Sequence, residues 1–211
     1  MVKKFVSNKD ETVRMFKSDF LEALSKVHPS VPLIIFLPVI SLMIYFSTVT
    51  YHLSALTISG MILFGIFIWT ITEYLLHRFV FHWELKSEIG KRIHFIFHGV
   101  HHDYPSDSRR LVMPPSVSIP LATVFFILFK ILIGRVLVLP FFAGFLSGYL
   151  FYDMTHYAVH HFNIHNKIWL ALKHHHIKHH FKTPDKGFGV SSPLWDIIFG
   201  TNYSGKEEAE V

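Results

Sequence analysis

The sequence predicts an all-α integral membrane protein with four transmembrane helices arranged as two hairpins. Of its 211 residues, 51% are hydrophobic and only 17% are charged, a balance too apolar for an ordinary soluble domain of this length. Four apolar segments are long enough to be considered as membrane spans. The chain contains 17 histidines and no cysteine, which excludes disulfides and thiolate metal sites.

The predicted spans fall into two pairs, each joined by a short loop. Their ranges are 32–50 and 56–76 for the first pair, and 117–133 and 136–152 for the second. The last two are close to the lower limit of about 17 residues for crossing a bilayer. Gly144 and Gly148, in the sequence GFLSG, would allow neighbouring helices to approach closely.

The positions of lysine and arginine predict the orientation. These residues are concentrated in the N-terminal segment, the long central loop and the tail, whereas the two hairpin loops together contain only Arg135. By the positive-inside rule, both termini and the central loop are cytoplasmic. We therefore expect a cytoplasmic N-terminal segment at 1–31, a single membrane domain at 32–211, and a cytoplasmic helical cap formed by 77–116 and 153–201.

The first 30 residues are charged and lack the apolar stretch of a cleavable signal peptide. The net charge of +5 follows from the basic residues that flank the spans. A nucleic-acid partner is therefore not expected.

Fifteen of the 17 histidines lie at the cytoplasmic ends of the spans or in the segments between them. Ten of these fall in four short motifs, in which the spacing is typical of metal ligands. The motifs are HRFVFH with His77 and His82, HGVHH with His98, His101 and His102, HYAVH with His156 and His160, and HIKHH with His176, His179 and His180.

Helical spacing explains how these imidazoles could share a metal. Residues i, i+3 and i+4 lie on one face of a helix, so the triad in HGVHH is expected to converge on one point, as is the triad in HIKHH. The pair in HRFVFH is different, because about 140° of rotation separates residues five apart on a regular helix. His77 and His82 therefore bracket one site, serve two different metals, or lie where the helix is distorted.

The number of imidazoles also carries information. A catalytic zinc usually has three protein ligands and a structural zinc has four, whereas these motifs supply ten. Two metals with about five nitrogens each would leave an open coordination position for water or dioxygen. Because imidazole suits iron, zinc and copper alike, the ligand set does not name the metal. The alternative is a solvated histidine-rich membrane face.

Two acidic residues are candidates for supporting the ligands. Glu73 precedes His77 by four residues and Asp153 precedes His156 by three, so each carboxylate could accept the free ring N–H of that histidine. Seven histidines receive no role from spacing alone. They are His28, His52, His94, His161, His165, His174 and His175.

The four histidine motifs, in this order, resemble the membrane fatty acid hydroxylase and sterol desaturase superfamily. RLVMPP at 110–115 and GFGVSSPLWDIIFGT at 187–201 are similar to the fatty acid 2-hydroxylase branch. The resemblance covers about 73–201. It implies a di-iron centre beneath the cap, O2-dependent hydroxylation at C2 of the acyl chain of a ceramide, another sphingolipid or a fatty acid, and all ten motif histidines as the metal ligands.

The chemistry requires a metal–oxygen oxidant, because no side chain can deprotonate an unactivated methylene group. Two iron ions are expected, although zinc can replace iron in a purified preparation. No fused cytochrome b5 domain is recognisable, so the electrons are expected from a separate donor, such as cytochrome b5 or ferredoxin with its reductase. The expected location is a bacterial inner membrane or the endoplasmic reticulum membrane.

Two alternatives remain at the level of the sequence. The first is a hydroxylase or desaturase of another lipid, such as a sterol or carotenoid, against which RLVMPP argues. The second is a metal-binding transporter, which would place polar residues inside the spans to form a path. The predicted spans contain almost none beyond Glu73.

Overall fold

The computed structural model describes residues 5–83, 86–163 and 165–203, and within them it contains helices and no β-strand. Three π-helical turns interrupt or extend the α-helices, at Phe46–Thr50, Leu76–Phe81 and Phe95–Gly99. The α-helices are α1 (Asp19–Leu24), α2 (Ser30–Tyr45), α3 (Ala55–Leu75), α4 (Glu88–His94), α5 (Val100–Asp103), α6 (Pro115–Ile133), α7 (Val138–His161), α8 (Lys167–Phe181) and α9 (Leu194–Ile198).

Three helical stretches are long and apolar enough to cross a membrane. They are Ser30–Thr50, Ala55–Phe81 and Pro115–Ile133, and they correspond to the first three predicted spans. Large apolar side chains on them are exposed, such as Leu56 at 85% and Ile131 at 76%. Because a contiguous apolar surface suits lipid rather than water, these helices indicate a membrane protein.

The fourth predicted span, 136–152, lies almost entirely within α7, which is not among these three stretches. Helix α7 is buried along most of its length, because α2, α3, α6 and α8 all pack against it. Its core-facing side chains include Phe141, Phe145 and Leu146. The number of four spans, the cytoplasmic orientation and the division into segment, membrane domain and cap stay predictions.

Close contact between α3 and α7 depends on glycine. A Cβ atom added to Gly65 would meet the backbone of Phe141, and one added to Gly144 would meet the backbone of Ile62. At Gly148, the indole of Trp69 occupies the corresponding space. The sequence-based expectation for Gly144 and Gly148 is therefore confirmed, and the close approach helps to position the histidines just after α3 and in the last turns of α7.

The N-terminal segment packs along the loop that follows α5. The backbone N–H groups of Val6 and Ser7 donate to the carbonyl of Asp103 at 2.9 and 3.1 Å, and the N–H of Val27 donates to the carbonyl of Arg109 at 2.9 Å. These bonds fasten the described part of the segment to the end of α5 and to the loop between α5 and α6. The segment therefore belongs structurally to the region that carries the histidines.

Replacing Gly144 with alanine is expected to destabilise the protein by about 1–3 kcal/mol, because the new methyl group overlaps backbone that cannot rotate away. Gly60 is the matched control, since it also lies in a helix and an added Cβ there meets nothing within 4 Å. Gly60→Ala should be neutral or stabilising by up to about 1 kcal/mol. Thermal unfolding of both variants in detergent micelles measures the difference, and equal effects would contradict this packing.

Candidate metal centre

Ten buried or half-buried histidines form two neighbouring groups, and in each group five ring nitrogens lie within 4.8 Å of one another. We call these groups the first and second clusters. The rings of His102 and His180, one from each cluster, stack with their centroids 4.3 Å apart, so the clusters lie side by side. The first cluster contains His77, His82, His98, His102 and His179, and the second contains His101, His156, His160, His176 and His180.

A π-helical turn brings the HRFVFH pair together. The turn spans Leu76–Phe81 at the end of α3, and the N–H of His82 donates to the carbonyl of His77 at 3.2 Å. A bond between residues five apart replaces the ordinary four-residue step, so that His77 and His82 face the same way. Of the three alternatives for this pair, helix distortion is therefore correct, and both rings belong to the first cluster.

The prediction that each triad converges on one point is wrong. In HGVHH, His98 and His102 join the first cluster and His101 joins the second; in HIKHH, His176 and His180 join the second and His179 the first. The physical reason is the direction in which each side chain projects around the helix axis. Residues i+3 and i+4 lie on opposite sides of residue i, about 100° apart around the helix, so two adjacent clusters can each receive a ligand from the same triad.

The separations of the Nε2 atoms fit a bound metal. Two nitrogens at about 2.1 Å from one metal are about 3.0 Å apart when the bonds are at right angles and about 3.4 Å apart when they are tetrahedral. The observed separations match the right-angled arrangement. They are 3.1 Å for His77–His98, 3.0 Å for His98–His102, 3.0 Å for His82–His179, 2.8 Å for His101–His156, 3.0 Å for His160–His176 and 3.0 Å for His176–His180.

Backbone carbonyls fix the orientation of two rings in the first cluster. The Nδ1–H of His77 donates to the carbonyl of Phe188 at 2.5 Å, and that of His179 donates to the carbonyl of Lys186 at 2.7 Å. With the proton on Nδ1, each Nε2 directs a lone pair into the cluster. Sequence reasoning missed these carbonyls, because backbone acceptors carry no side-chain signal.

Burial keeps the imidazoles neutral. Burial, with a smaller contribution from nearby His77, lowers the pKa of His156 to about 3. Burial likewise lowers the pKa of His102 to about 3 and that of His82 to about 2, with His77 again adding to the effect. A neutral imidazole has one lone pair available for a metal at physiological pH, so the buried clusters are suited to bind cations rather than protons.

The loop that supplies the two carbonyls is held by two buried carboxylates. Glu73 accepts the N–H groups of Val190 and Ser191, both at 2.8 Å, and also contacts the hydroxyl of Ser191. Asp196 accepts the N–H groups of Phe188 and Gly189 at 2.9 and 2.8 Å. Both carboxylates therefore act on the rings of His77 and His179 through the backbone of this loop.

The prediction that Glu73 accepts the ring N–H of His77 is therefore wrong, because that N–H donates to the carbonyl of Phe188. Gly187 explains why the loop can present that carbonyl. Its φ of 71° lies in the left-handed region, and a Cβ there would collide with the ring of Tyr203, so a side chain is excluded at this position.

The predicted bond from Asp153 to His156 is also wrong. The Asp153 carboxylate accepts the hydroxyl of Tyr149 at 2.8 Å and the N–H of Met113 at 3.3 Å. Met113 belongs to the loop before α6, so Asp153 ties this loop to α7. The carboxylate is therefore satisfied by a tyrosine one turn earlier on the same helix and by a backbone N–H of the loop, rather than by His156.

The remaining histidines lie outside both clusters. His175 illustrates why spacing alone was insufficient: its Nε2 lies 3.1 Å from Oδ2 of Asp196, so it supports the loop rather than joining its neighbour His176. His94 and His161 are half-buried. The exposed members of this set are His28, His52, His165 and His174.

One cavity reaches both clusters. It has a volume of about 280 Å³, and its lining includes His98 from the first cluster and His101 and His156 from the second. Most of the remaining lining is apolar, for example Phe81 and Val112. An apolar chamber that ends on buried imidazoles can hold a hydrocarbon segment beside bound metals and exclude water.

Comparison with known proteins gives consistent results. A family model described as fatty acid hydroxylase matches residues 62–201, a range that contains all ten clustered histidines. The dihydroceramide fatty acyl 2-hydroxylase FAH1 of Arabidopsis thaliana is 43% identical over 192 residues, which cover 90% of this chain and 80% of the relative. A fatty acid 2-hydroxylase of Rattus norvegicus is 38% identical over 210 residues, which cover 90% of this chain and 56% of the relative.

A solved structure shares the fold. The visible hydroxylase domain of full-length scs7p is 37% identical and superimposes with a TM-score of 0.83, covering 88% of this chain and 70% of that one. The family model thus matches more than half of the chain, and the first of these relatives is matched over most of its own length. The chain therefore belongs to the fatty acid hydroxylase family and is an oxidoreductase.

Proposed function

We propose that the protein hydroxylates C2 of the acyl chain of a ceramide-type lipid, using two iron ions and O2. The observation that carries this proposal is the pair of five-histidine clusters that lie side by side and open onto one apolar cavity. The relatives support the substrate class, because their names describe acyl 2-hydroxylases acting on dihydroceramide or fatty acid. The family match does not favour the metal-transport alternative.

Iron is preferred because the reaction is a redox reaction. Zinc has no accessible second oxidation state, whereas iron bound by imidazole supplies the oxidising chemistry that a methylene C–H bond requires. One oxygen atom of O2 enters the C–H bond and the other leaves as water, with two electrons and two protons supplied from outside. We propose that a separate electron-transfer protein delivers these electrons.

The residues of the chain hold and position the reactants. The ten clustered histidines would hold the two metals as neutral ligands, and the carbonyls of Phe188 and Lys186 keep the rings of His77 and His179 in the correct tautomer. The apolar cavity wall would hold the methylene groups beside the imidazoles and exclude water. No side chain needs to remove a proton from carbon.

The position of the clusters is consistent with attack at C2. His77 and His82 lie at the end of the membrane-spanning stretch Ala55–Phe81, so the first cluster is at the level where that helix leaves the hydrocarbon. In an amide-linked lipid, C2 is next to the headgroup. A metal centre at the membrane surface can therefore reach C2 while the rest of the chain stays in the bilayer.

Isotope labelling tests the reaction and its position together. The protein, supplied with an electron donor, is incubated with a ceramide whose acyl C2 carries two deuterium atoms, under ¹⁸O2. The expected product contains one ¹⁸O atom and has lost one deuterium, as measured by mass spectrometry. A product that keeps both deuterium atoms would show hydroxylation elsewhere, and the absence of any oxygenated product would refute the proposal.

Metal content tests the division into two clusters. His82→Ala and His160→Ala each remove a half-buried ligand from one cluster and should lower the content from about two metals per chain to about one, since each cluster binds its own ion. His174→Ala is the matched control, because His174 is exposed and lies outside both clusters, although it is only two residues from the clustered His176. Elemental analysis of the folded variants decides, and unchanged content in both cluster variants would contradict the assignment.

A further inference from the structure

The N-terminal segment contributes part of the lining of the cavity that reaches the two clusters. Met15, Phe16, Leu21 and Leu24 all contribute to its lining. These residues precede the range 62–201 that the family model matches. One wall of the cavity is therefore built from sequence outside the range that the family model matches.

Hydrogen bonds with Glu22 and Arg92 hold the backbone of this wall in place. The carboxylate of Glu22 accepts the backbone N–H groups of Met15 and Phe16 at 2.9 and 3.0 Å, and the guanidinium of Arg92 donates to the carbonyl of Met15. Glu22 is itself paired with Arg110 at 2.7 Å. These bonds hold the backbone at Met15 and Phe16, so that both side chains start from a fixed position in the cavity wall.

The pKa of Glu22 shows that its carboxylate carries the charge that these hydrogen bonds and the pair with Arg110 require. Its burial would by itself raise its pKa, but hydrogen bonds from Lys26 and from the N–H groups of Phe16 and Met15, together with the charge of Arg110, lower the pKa to about 2. The carboxylate is therefore ionised at physiological pH. It can therefore accept the N–H groups of Met15 and Phe16 at that pH.

The same cavity opens at a rim of exposed apolar side chains. Leu21 and Leu24 are 47% and 42% exposed, and Phe97, a further lining residue in the π-helical turn after α4, is 52% exposed. Phe20, next to Leu21, is 71% exposed. In a membrane protein, such a rim suits contact with lipid, so the opening is placed where a lipid chain can enter.

The volume of the cavity limits what can enter. About 280 Å³ lies just below the range of about 300–1,000 Å³ for pockets that enclose a whole drug-sized ligand. A two-chain lipid therefore places only a short segment in the cavity, and the rest of it remains in the bilayer. A residue that lines the cavity beside that segment therefore limits the width of the segment and not the total length of the acyl chain.

We propose that Met15 and Phe16 are specificity-determining residues, whose side chains restrict the cavity to an unbranched acyl segment next to the reacting carbon. This inference rests on the proposed function, because it concerns the lipid that the same metal centre would hydroxylate. Replacement of Met15 by alanine removes the side chain beyond Cβ and widens the cavity at this wall. The wider cavity then admits a chain that carries a methyl branch.

A competition assay tests the proposal. Protein in lipid vesicles receives an equal mixture of a straight-chain ceramide and the same ceramide with a methyl group on acyl C3, and both 2-hydroxylated products are quantified. The natural protein should favour the straight chain by about tenfold or more, since one methyl group in an apolar pocket typically changes selectivity by about 10–200-fold. Met15→Ala should reduce this preference at least about fivefold.

Two further variants make the assay decisive. Phe16→Ala removes a half-buried side chain from the same wall and should shift the ratio in the same direction, which covers the case in which Met15→Ala does not fold. Met61→Ala is the matched control, since Met61 packs against the helical core and should leave the ratio unchanged. Wild-type ratios in folded Met15→Ala and Phe16→Ala would overturn the proposal.

A second readout separates this proposal from the proposed function. A ceramide with a photoreactive diazirine in the first part of its acyl chain is irradiated in vesicles with the protein, and the labelled peptides are identified by mass spectrometry. Labelling at Met15 or Phe16 supports the wall even if no hydroxylated product forms, which would refute only the reaction. Labelling of other cavity residues without these two overturns the specificity proposal, whether or not the protein is active.

Discussion

The structure depends on one electrostatic constraint: ten neutral imidazoles, seven of them buried and three half-buried, direct nitrogen lone pairs into two small volumes. Within each cluster the nearest Nε2 atoms are about 3 Å apart, and lone pairs at that distance repel one another unless a cation lies between them or a proton is shared. Burial disfavours protonation of the rings. A metal ion in each cluster would satisfy these lone pairs, and the surrounding fold positions the ten rings accordingly.

Each unusual local feature contributes to that positioning. The π-helical turn after α3 rotates His82 toward His77, and the close approach of α3 and α7 at Gly65 and Gly144 brings the ends of the two helices together. The loop at 186–191 presents its carbonyls to two rings because Glu73 and Asp196 hold its N–H groups. Polar groups that would be costly to bury alone are thus satisfied by one another.

Much of this could be predicted from the sequence, because hydropathy and histidine spacing act over short distances. The three apolar stretches begin and end within a few residues of their predicted bounds, and all ten predicted ligands lie in the clusters. Helix distortion at His77 and His82 is one of three alternatives that their spacing allows, whereas the π-helical turns at Phe46–Thr50 and Phe95–Gly99 depend on tertiary packing and give no local signal. The carbonyl partners of His77 and His179 and the partners of Glu73 and Asp153 come from distant segments that no local pattern reveals.

The central claim is that each cluster binds one metal through its own five imidazoles. Anomalous diffraction at the iron absorption edge, from crystals of the iron-loaded protein, tests it most directly, because it locates the ions independently of activity. The account predicts two peaks per chain, one among the Nε2 atoms of His77, His82, His98, His102 and His179, and the other among those of His101, His156, His160, His176 and His180. A single peak, or a peak coordinated by Glu73, Asp153 or His175, would contradict it.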